Sequence, residues 1–185
     1  MHPPCFKEFP KINMKYRDNF YLVVSALVPY KRVDLAVQAF NKTSEKLIVA
    51  GNGPELKKLK KIARKNIEFI ESPSKELIVE LYQKAKALIF PGIEDFGIVP
   101  VEAQTYGCPV IAIKKGGAIE TVWENKTGIF FEEQTIDSLL HAIKRFENQS
   151  FKEKDFILHI QKFSYDNFIK NIKKIVLSYK DFKFS

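Results

Sequence analysis

The chain has 185 residues, of which 45 % are hydrophobic and 28 % are charged, and this length suits one domain with a sizeable core better than two. It contains no apolar run near the roughly 18 residues that a membrane span needs and no signal peptide, so we expect a cytoplasmic protein whose membrane contact, if any, is peripheral. Two cysteines, Cys5 and Cys108, are too few and too far apart for a disulfide framework or a zinc site.

The net charge is +8, and only four of the 30 Lys and Arg residues are Arg. The densest basic run, KKLKKIARK at 57–65, falls on a predicted helix. Because the chain carries no recognised nucleic-acid-binding motif, this run is interpreted as a solvated helix face. Nucleic acid is therefore not an expected partner.

Short apolar runs alternate with amphipathic stretches from residue 19 onward. The runs are nearly continuous in apolar residues, as strands buried on both faces should be, and they predict strands at 20–25, 46–50, 67–70, 87–90, 110–113 and 128–131. Helical patterns lie between them at 33–42, 54–65, 74–84 and 98–106, and follow the last strand at 135–147, 152–161 and 164–180. The alternation predicts an α/β fold with a doubly wound, six-stranded parallel sheet, Rossmann-like, with C-terminal helices.

Local signals refine these boundaries. Residues 1–18 hold three prolines and no clean period, so an extended lead-in is predicted before a single domain at 19–185. Pro54 is expected in the first turn of the second helix, and Gly107 is expected to cap the C-terminus of the fourth.

In such a sheet, ligands sit beyond the carboxyl ends of the strands, where the N-termini of helices favour phosphate. The first strand-to-helix loop, SALVPYKRVD, places Lys31 and Arg32 just before a helix that begins near Asp34. A point charge and a planar guanidinium at a helix start suit a diphosphate, although two solvated residues on an exposed loop remain the alternative. The second loop, GNGP, lacks the dinucleotide fingerprint and is interpreted as a tight turn.

The fourth such loop carries two carboxylates. Glu94 lies over the end of its strand, and Glu102 lies about one turn into the next helix, so both are expected to border one crevice. Ionised carboxylates only accept hydrogen bonds, and sugar hydroxyls are the obvious donors. Gly97 would let backbone amides approach the same ligand closely. For Glu102 alone, a carboxylate that only interacts with the helix dipole is the alternative.

The segment EDFGIVPVE resembles the Glu-x7-Glu signature of the family 4 retaining glycosyltransferases, in which two Rossmann-like domains face each other across a cleft, the GT-B fold. HPPCFKEF is similar to the interdomain linker of that family, SALVPYKRVDLAVQAF to its first strand, phosphate loop and helix, and VAGNGPELKKL to its second crossover. The stretch from LYQKAKALIF to NKTGIFF follows the donor-binding core of the family almost without interruption. SALVPYKR and EDFGIVPVEA resemble most the mannosyltransferases that build polysaccharides from GDP-mannose.

The resemblance implies a role for each matching residue. Glu94 would hold hydroxyls of the transferred sugar, and Glu102 would hold the ribose of the nucleotide. Lys31 would bind the diphosphate, and Ser72, in the loop ESPS, would border the base. The backbone amides expected to contact sugar or phosphate are those of Phe96, Gly97 and Ile98.

One departure from the family pattern concerns the phosphate loop. Most relatives have Gly-Arg where this chain has Ser25 and Ala26, so a phosphate-binding arginine is missing. Arg32, at the other end of the loop, is expected to replace it by charge and proximity. Gly116 and Gly117 match a family glycine pair and are interpreted as a backbone turn.

The resemblance also implies what the chain lacks. A full family member needs a second Rossmann-like domain, of the order of 150 residues, that holds the acceptor and part of the catalytic machinery. We therefore expect the donor-binding half only, as a truncated form or one partner of a split enzyme, with the N-terminal acceptor domain and a glycan or lipid-linked acceptor as its partners. The three histidines are not catalytic candidates. No Asp-x-Asp motif is present, and neither a metal nor another cofactor is expected.

Other functions share parts of this pattern. A sugar-nucleotide epimerase has the same two-domain plan and the same nucleotide-sugar ligand, and a binding module without activity would need no second domain. A phosphorylase would need a lysine-bound pyridoxal phosphate, for which the sequence offers no case. A glycosidase that uses the two glutamates as its carboxylate pair is disfavoured by the Rossmann-like alternation. The sequence determines neither the acceptor nor, with any strength, the base.

The last helix carries an apolar stripe at helical spacing, formed by Phe168, Ile172, Ile175, Val176 and Tyr179. In relatives the final helices return to the other domain. Part of the stripe is therefore expected to be uncovered in this chain, either as an exposed patch or as a site of self-association.

Overall fold

The computed structural model describes residues 3–6, 12, 14 and 17–180. Its centre is a six-stranded sheet in the order β3-β2-β1-β4-β5-β6, with every pair of neighbouring strands parallel. The strands are β1 (Phe20–Val24), β2 (Lys46–Ala50), β3 (Ile67–Ile70), β4 (Ala87–Phe90), β5 (Val110–Ile113) and β6 (Gly128–Phe131). The predicted fold class is confirmed, and each predicted strand agrees to within one residue.

Eight α-helices accompany the strands within the described residues. They are α1 (Val33–Phe40), α2 (Leu56–Ile62), α3 (Lys75–Lys84), α4 (Ile98–Thr105), α5 (Ala118–Thr121), α6 (Ile136–Glu147), α7 (Glu153–Ile160) and α8 (Tyr165–Lys180). Short 3-10 turns lie at Pro29–Lys31 and Gln161–Phe163. The sequence did not predict α5 or the 3-10 turns, because a single turn is too short to show a helical period.

Two of the predicted helix signals have different outcomes. Gly107 follows α4 and adopts φ 74°. The amide of Gly107 donates to the carbonyl of Gln104, and the amide of Cys108 donates to the carbonyl of Ala103, both at 2.9 Å. This is the expected glycine cap, in the Schellman form. Pro54, by contrast, lies in the turn before α2, which begins only at Leu56, so the expectation for Pro54 was wrong.

The sheet is buried on both faces. In β1, Tyr21 and Val23 belong to the core covered by α1 and α6, whereas Phe20 and Leu22 belong to the core covered by α3 and α4. Because successive residues of a strand point to opposite faces, a strand between two cores needs apolar residues at every position. This requirement explains the continuous apolar runs of the sequence.

The strand order places the topological switch point between β1 and β4. The chain winds from β1 through β2 to β3 on one side and from β4 through β5 to β6 on the other. In open parallel sheets the crevice for a ligand forms beyond the carboxyl ends of the two strands at this point. Here that crevice is bordered by the loops 25–32 and 91–97.

Parts of the lead-in pack against the domain. The amide of Cys5 bonds to the carbonyl of Phe163 at 2.9 Å, and the amide of Tyr165 bonds to the carbonyl of Phe6 at 3.0 Å. The guanidinium of Arg17 donates to the carbonyls at the end of α3, those of Tyr82 (3.0 Å), Gln83 (3.3 Å) and Ala85 (2.8 Å), and to the carbonyl of Tyr106 after α4 (3.4 Å). Much of the predicted lead-in 1–18 lies outside the described residues, so its boundary stays a prediction.

The apolar stripe of α8 is partly uncovered, as predicted. Ile175 and Val176 are 45 % and 52 % exposed, whereas Phe168 and Ile172 are partly buried. The side chain of Tyr179 lies outside the described residues. None of the helices in the described part of the chain is long and apolar enough to cross a membrane.

Candidate functional site

The switch point of the sheet brings two charged side chains together. Lys31 ends the 3-10 turn of the loop after β1, and Glu94 lies in the loop after β4. Lys31 Nζ is 2.5 Å from Glu94 Oε1, and the two side chains are only 16 % and 20 % exposed. The residues assigned from the sequence to diphosphate and sugar thus meet as a mostly buried ion pair across the crevice.

Glycines let the surrounding loops approach closely. A Cβ atom at Gly92 would lie 2.9 Å from the Cα of Lys31, and one at Gly117 would lie 2.2 Å from the carbonyl oxygen of Phe96. The amide of Gly117 also donates to the carbonyl of Glu94, at 2.7 Å. The glycine pair, interpreted from the sequence as a turn, therefore also fixes the loop that carries Glu94.

A pocket of about 420 Å³ opens beside the ion pair. It is lined by Tyr30, Lys31 and residues 93–99, which include Phe96, Gly97 and Ile98. Gly97 precedes α4 with φ 81°, and no side chain caps that N-terminus. Hence the first amides of α4 can serve an anionic or hydroxyl-rich ligand in this pocket.

Tyr30 is one of the lining residues that the sequence analysis did not single out, with Ile93, Asp95 and Val99. Its side chain is exposed, and the Lys31 ammonium lies 5.1 Å from the centre of its ring. Its position next to a predicted phosphate-binding lysine is the only sequence signal for it.

Arg32 has a different environment from the one expected. It adopts φ 53° immediately before α1, and its guanidinium forms two bonds with Asp34, Nε to Oδ1 at 3.1 Å and Nη2 to Oδ2 at 3.4 Å. It does not line the pocket of Lys31 and Glu94. To contact a diphosphate, Arg32 would have to share or leave this carboxylate.

Glu102 lines a second pocket, of about 440 Å³. The other lining residues come from the lead-in, α3 and the end of α4: Cys5, Phe6, Lys75, Ile78, Val79, Tyr82, Thr105 and Tyr106. Burial raises the pKa of the Glu102 carboxyl, an effect opposed by a hydrogen bond from the Tyr82 hydroxyl to Oε2 at 3.4 Å. The two pockets have no lining residue in common, so the two glutamates do not border the single crevice expected from the sequence.

The position of Glu102 in α4 bears on the helix-dipole alternative. The first turn of α4 contains no acidic residue, and Glu102 follows in the second turn. Since the dipole interaction fades beyond the first turn, it gives Glu102 little stabilisation.

Ser72 lies in the loop after β3, as predicted, with φ 48°. Its hydroxyl accepts a hydrogen bond from Asn52 Nδ2 at 3.1 Å, and Asn52 Oδ1 accepts one from the amide of Gly53 at 2.7 Å. The contact joins the loops after β2 and β3 at the carboxyl edge of the sheet. Asn52 was not singled out from the sequence, because only the folded sheet brings it to Ser72.

Comparison with known proteins places these residues in a family. Residues 6–180 match the family described as glycosyl transferases group 1. The alpha-1,3/1,6-mannosyltransferase ALG2 of Kluyveromyces lactis is 31 % identical over 160 residues, which cover 64 % of this chain and 32 % of that protein. The GDP-mannose-dependent alpha-(1-6)-phosphatidylinositol monomannoside mannosyltransferase of Mycobacterium tuberculosis is 30 % identical over 138 residues, which cover 65 % of this chain and 36 % of that protein.

Solved structures share the fold at lower sequence identity. The apo form of the lipopolysaccharide outer core galactosyltransferase WaaB matches with a TM-score of 0.79 at 18 % identity, covering 96 % of this chain and 54 % of that one. Anabaena HepE in complex with UDP-glucose matches with a TM-score of 0.73 at 21 % identity, covering 87 % of this chain and 49 % of that one. The chain spans about a third of the length of these two mannosyltransferases and about half of two Methanocaldococcus jannaschii glycosyltransferases that it also matches.

Proposed function

The chain belongs to the glycosyl transferases group 1 family, and from this premise we propose that it is the donor-binding half of a retaining GT-B enzyme that transfers mannose from GDP-mannose to a glycan or lipid-linked acceptor. The observation that carries the proposal is the meeting of Lys31 and Glu94 beside one pocket at the switch point of the sheet. A cation for phosphate and a carboxylate for hydroxyls are the two groups that the reactive end of a nucleotide sugar requires.

The two pockets fit the two ends of such a donor. The sugar and the diphosphate would occupy the pocket of Lys31 and Glu94, and the ribose would reach Glu102 in the second pocket. α4 connects them, because its N-terminus forms part of the first pocket and Glu102 faces the second. Ser72 would border the base from the loop after β3.

The chemistry that this half can supply is electrostatic. When the bond between sugar and diphosphate breaks, negative charge develops on the departing phosphate oxygens. Lys31 and the uncapped amides of α4 would stabilise that charge. Electrostatic stabilisation by groups already held in place is usually the largest single contribution to catalysis. In this proposal no metal is needed.

The names of the relatives support mannose and GDP, whereas the match to the HepE complex with UDP-glucose keeps UDP as a rival. A thermal-shift panel of GDP, UDP and ADP, each with and without an attached hexose, tests the choice. The largest rise in melting temperature is expected for GDP-mannose, since a ligand that binds only the folded state stabilises it. A larger rise with UDP-glucose would refute the base and the sugar, and no rise with any ligand would refute the donor site.

Transfer itself is tested on the full-length protein. With GDP-mannose and an acceptor, a transferase forms a new glycosidic product, an epimerase only changes the sugar nucleotide, and a binding module changes neither. The 185-residue chain alone is expected to form no product, because transfer requires donor and acceptor held together in attacking geometry.

A further inference from the structure

We infer that Tyr82 is a positioning residue, whose hydroxyl orients the Glu102 carboxylate to accept hydrogen bonds from the ribose of a bound nucleotide. This inference rests on the proposed function, in which Glu102 binds that ribose. Tyr82 itself would not touch the ligand's reacting atoms. It would act through the glutamate.

The ring of Tyr82 is held from several sides. It is 1 % exposed, and it stacks on Tyr106 with ring centres 6.2 Å apart and planes 13° apart. The carbonyl of Tyr82 also accepts a hydrogen bond from Arg17 at 3.0 Å. Because ring and backbone are both fixed, the hydroxyl has one well-defined position, 3.4 Å from Glu102 Oε2.

Within residues 3–6, 12, 14 and 17–180, Tyr82 is the only donor that reaches the Glu102 carboxylate. Among these residues, Oε2 has a donor and Oε1 has none, so Oε1 is the oxygen that we propose accepts from the ribose. A carboxylate on a helix has freedom about its last bond, which a single hydroxyl contact restricts. Restricting that freedom before the ligand arrives reduces the ordering cost of binding.

The other groups around Glu102 do not replace this contact. Lys75 lines the pocket from α3, and Tyr106 lines it from the end of α4. From the lead-in, Cys5 faces the pocket as a neutral thiol, because burial, followed by the charge of Glu102, raises its pKa to about 11. Thr105 also lines the pocket, but its hydroxyl donates to the carbonyl of Val101, and the remaining lining residues, Phe6, Ile78 and Val79, are apolar.

The positioning effect of Tyr82 should also change how nucleotide affinity depends on pH. Burial favours the protonated form of Glu102, and the bond from Tyr82 favours the ionised form. Nucleotide affinity should therefore fall as the pH drops through the pKa of Glu102. Removing the Tyr82 hydroxyl should move the midpoint of that fall to higher pH, because the ionised form loses a donor.

The experiment measures GDP affinity by calorimetry across the acid range for wild type, Tyr82→Phe, Glu102→Gln and the double variant. GDP serves as the probe because every candidate nucleotide carries the ribose. We expect Tyr82→Phe to weaken binding about three- to tenfold near neutral pH, as for the loss of one modest hydrogen bond. In the Glu102→Gln background, the same change should have no further effect.

Tyr21→Phe is the matched control, since it also removes a tyrosine hydroxyl that donates to a glutamate, Glu147, while Tyr21 lines neither pocket. It should leave both the affinity and the pH midpoint unchanged. Melting curves without ligand show whether each variant is folded at the temperature used.

The outcomes separate the inference from the proposal on which it rests. If Glu102→Gln weakens GDP and Tyr82→Phe does not, or if Tyr82→Phe acts equally in both backgrounds, the positioning role is wrong while the ribose role of Glu102 stands. If Glu102→Gln leaves GDP affinity unchanged, the ribose role itself is wrong.

Discussion

At the scale of single residues, Lys31 and Glu94 neutralise each other before any donor binds. Both side chains are mostly buried, so each depends on the other for its charge to be compensated. Asp95 lines the same pocket, which leaves no surplus of positive charge for a diphosphate. Under the proposed function, a donor would have to take Lys31 from Glu94 and offer its sugar hydroxyls to Glu94 in exchange. Because of that competition, we expect residues 1–185 alone to bind a nucleotide weakly.

A double-mutant cycle tests this dependence. Lys31→Met and Glu94→Gln are each expected to lower the free energy of unfolding by about 1–3 kcal/mol, because each strands a buried polar partner. The double variant should lose less than the sum of the two. Chemical denaturation measures all four proteins, and strictly additive losses would show that the pair contributes nothing.

The two glutamates should differ in their effect on ligands. Glu102→Gln removes an ionised acceptor from the ribose, so GDP and GDP-mannose should both weaken by about 1.5–3 kcal/mol. Glu94→Gln should weaken GDP-mannose only, because GDP lacks the mannosyl group that Glu94 would bind and Lys31 becomes freer for the diphosphate. Calorimetry with both ligands on both variants decides, and equal losses of GDP affinity would refute this division of roles.

At the scale of elements, the strands were predictable and the contacts between loops were not. The strands could be predicted because a strand buried on both faces needs an unbroken run of apolar residues. Parallel strands bring their carboxyl ends to one edge, so the sequence predicted that the loops of Lys31 and Glu94 lie at that edge, but it did not predict the ion pair between them. The contact of Gly117 with Phe96, the Arg32–Asp34 pair and the single turn of α5 depend on distances that only the folded chain sets.

Gly117→Ala tests whether the loop after β5 holds the site. The added Cβ would lie 2.2 Å from the carbonyl oxygen of Phe96, so the loop of Glu94 must shift, at a cost to stability of about 1–3 kcal/mol. We expect a clear loss of GDP-mannose affinity in calorimetry at a temperature where the variant is folded.

Gly128→Ala is the matched control for that variant. Its Cβ would lie equally close, 2.2 Å, to the carbonyl oxygen of Val110. Gly128, however, is the first residue of β6, so it lies at the amino edge of the sheet, opposite the carboxyl edge that carries the site. It should lose stability and keep its affinity. A Gly117→Ala protein that binds as well as this control would show that the glycine is only structural.

At the scale of the whole molecule, all the candidate site residues lie on one edge of the sheet or on the helices that leave it. The uncovered stripe of α8 was predictable from its period together with the behaviour of relatives. What covers it in a longer protein was not predictable, because the covering residues would belong to another segment.

Matched substitutions on two helices check how far α8 is uncovered. Val176→Lys should change the free energy of unfolding by less than about 0.5 kcal/mol, since Val176 already faces solvent. Ile160→Lys, on α7, should cost several kcal/mol because Ile160 is 1 % exposed and a lysine there would bury an unpaired charge. Denaturant midpoints measure both, and a large loss in Val176→Lys would mean that the stripe is covered.

The guanidinium of Arg17 has a practical consequence for fusing this domain to other proteins. It bridges the ends of α3 and α4, the helices that carry Tyr82 and Glu102, yet it precedes the first strand of the sheet. A chimera whose junction lies after Arg17 would keep every strand. It would lose the hydrogen bonds that join the ends of those two helices. Fusing this domain to another protein therefore calls for a junction upstream of Arg17, so that the hydrogen bonds from Arg17 to the ends of both helices are kept.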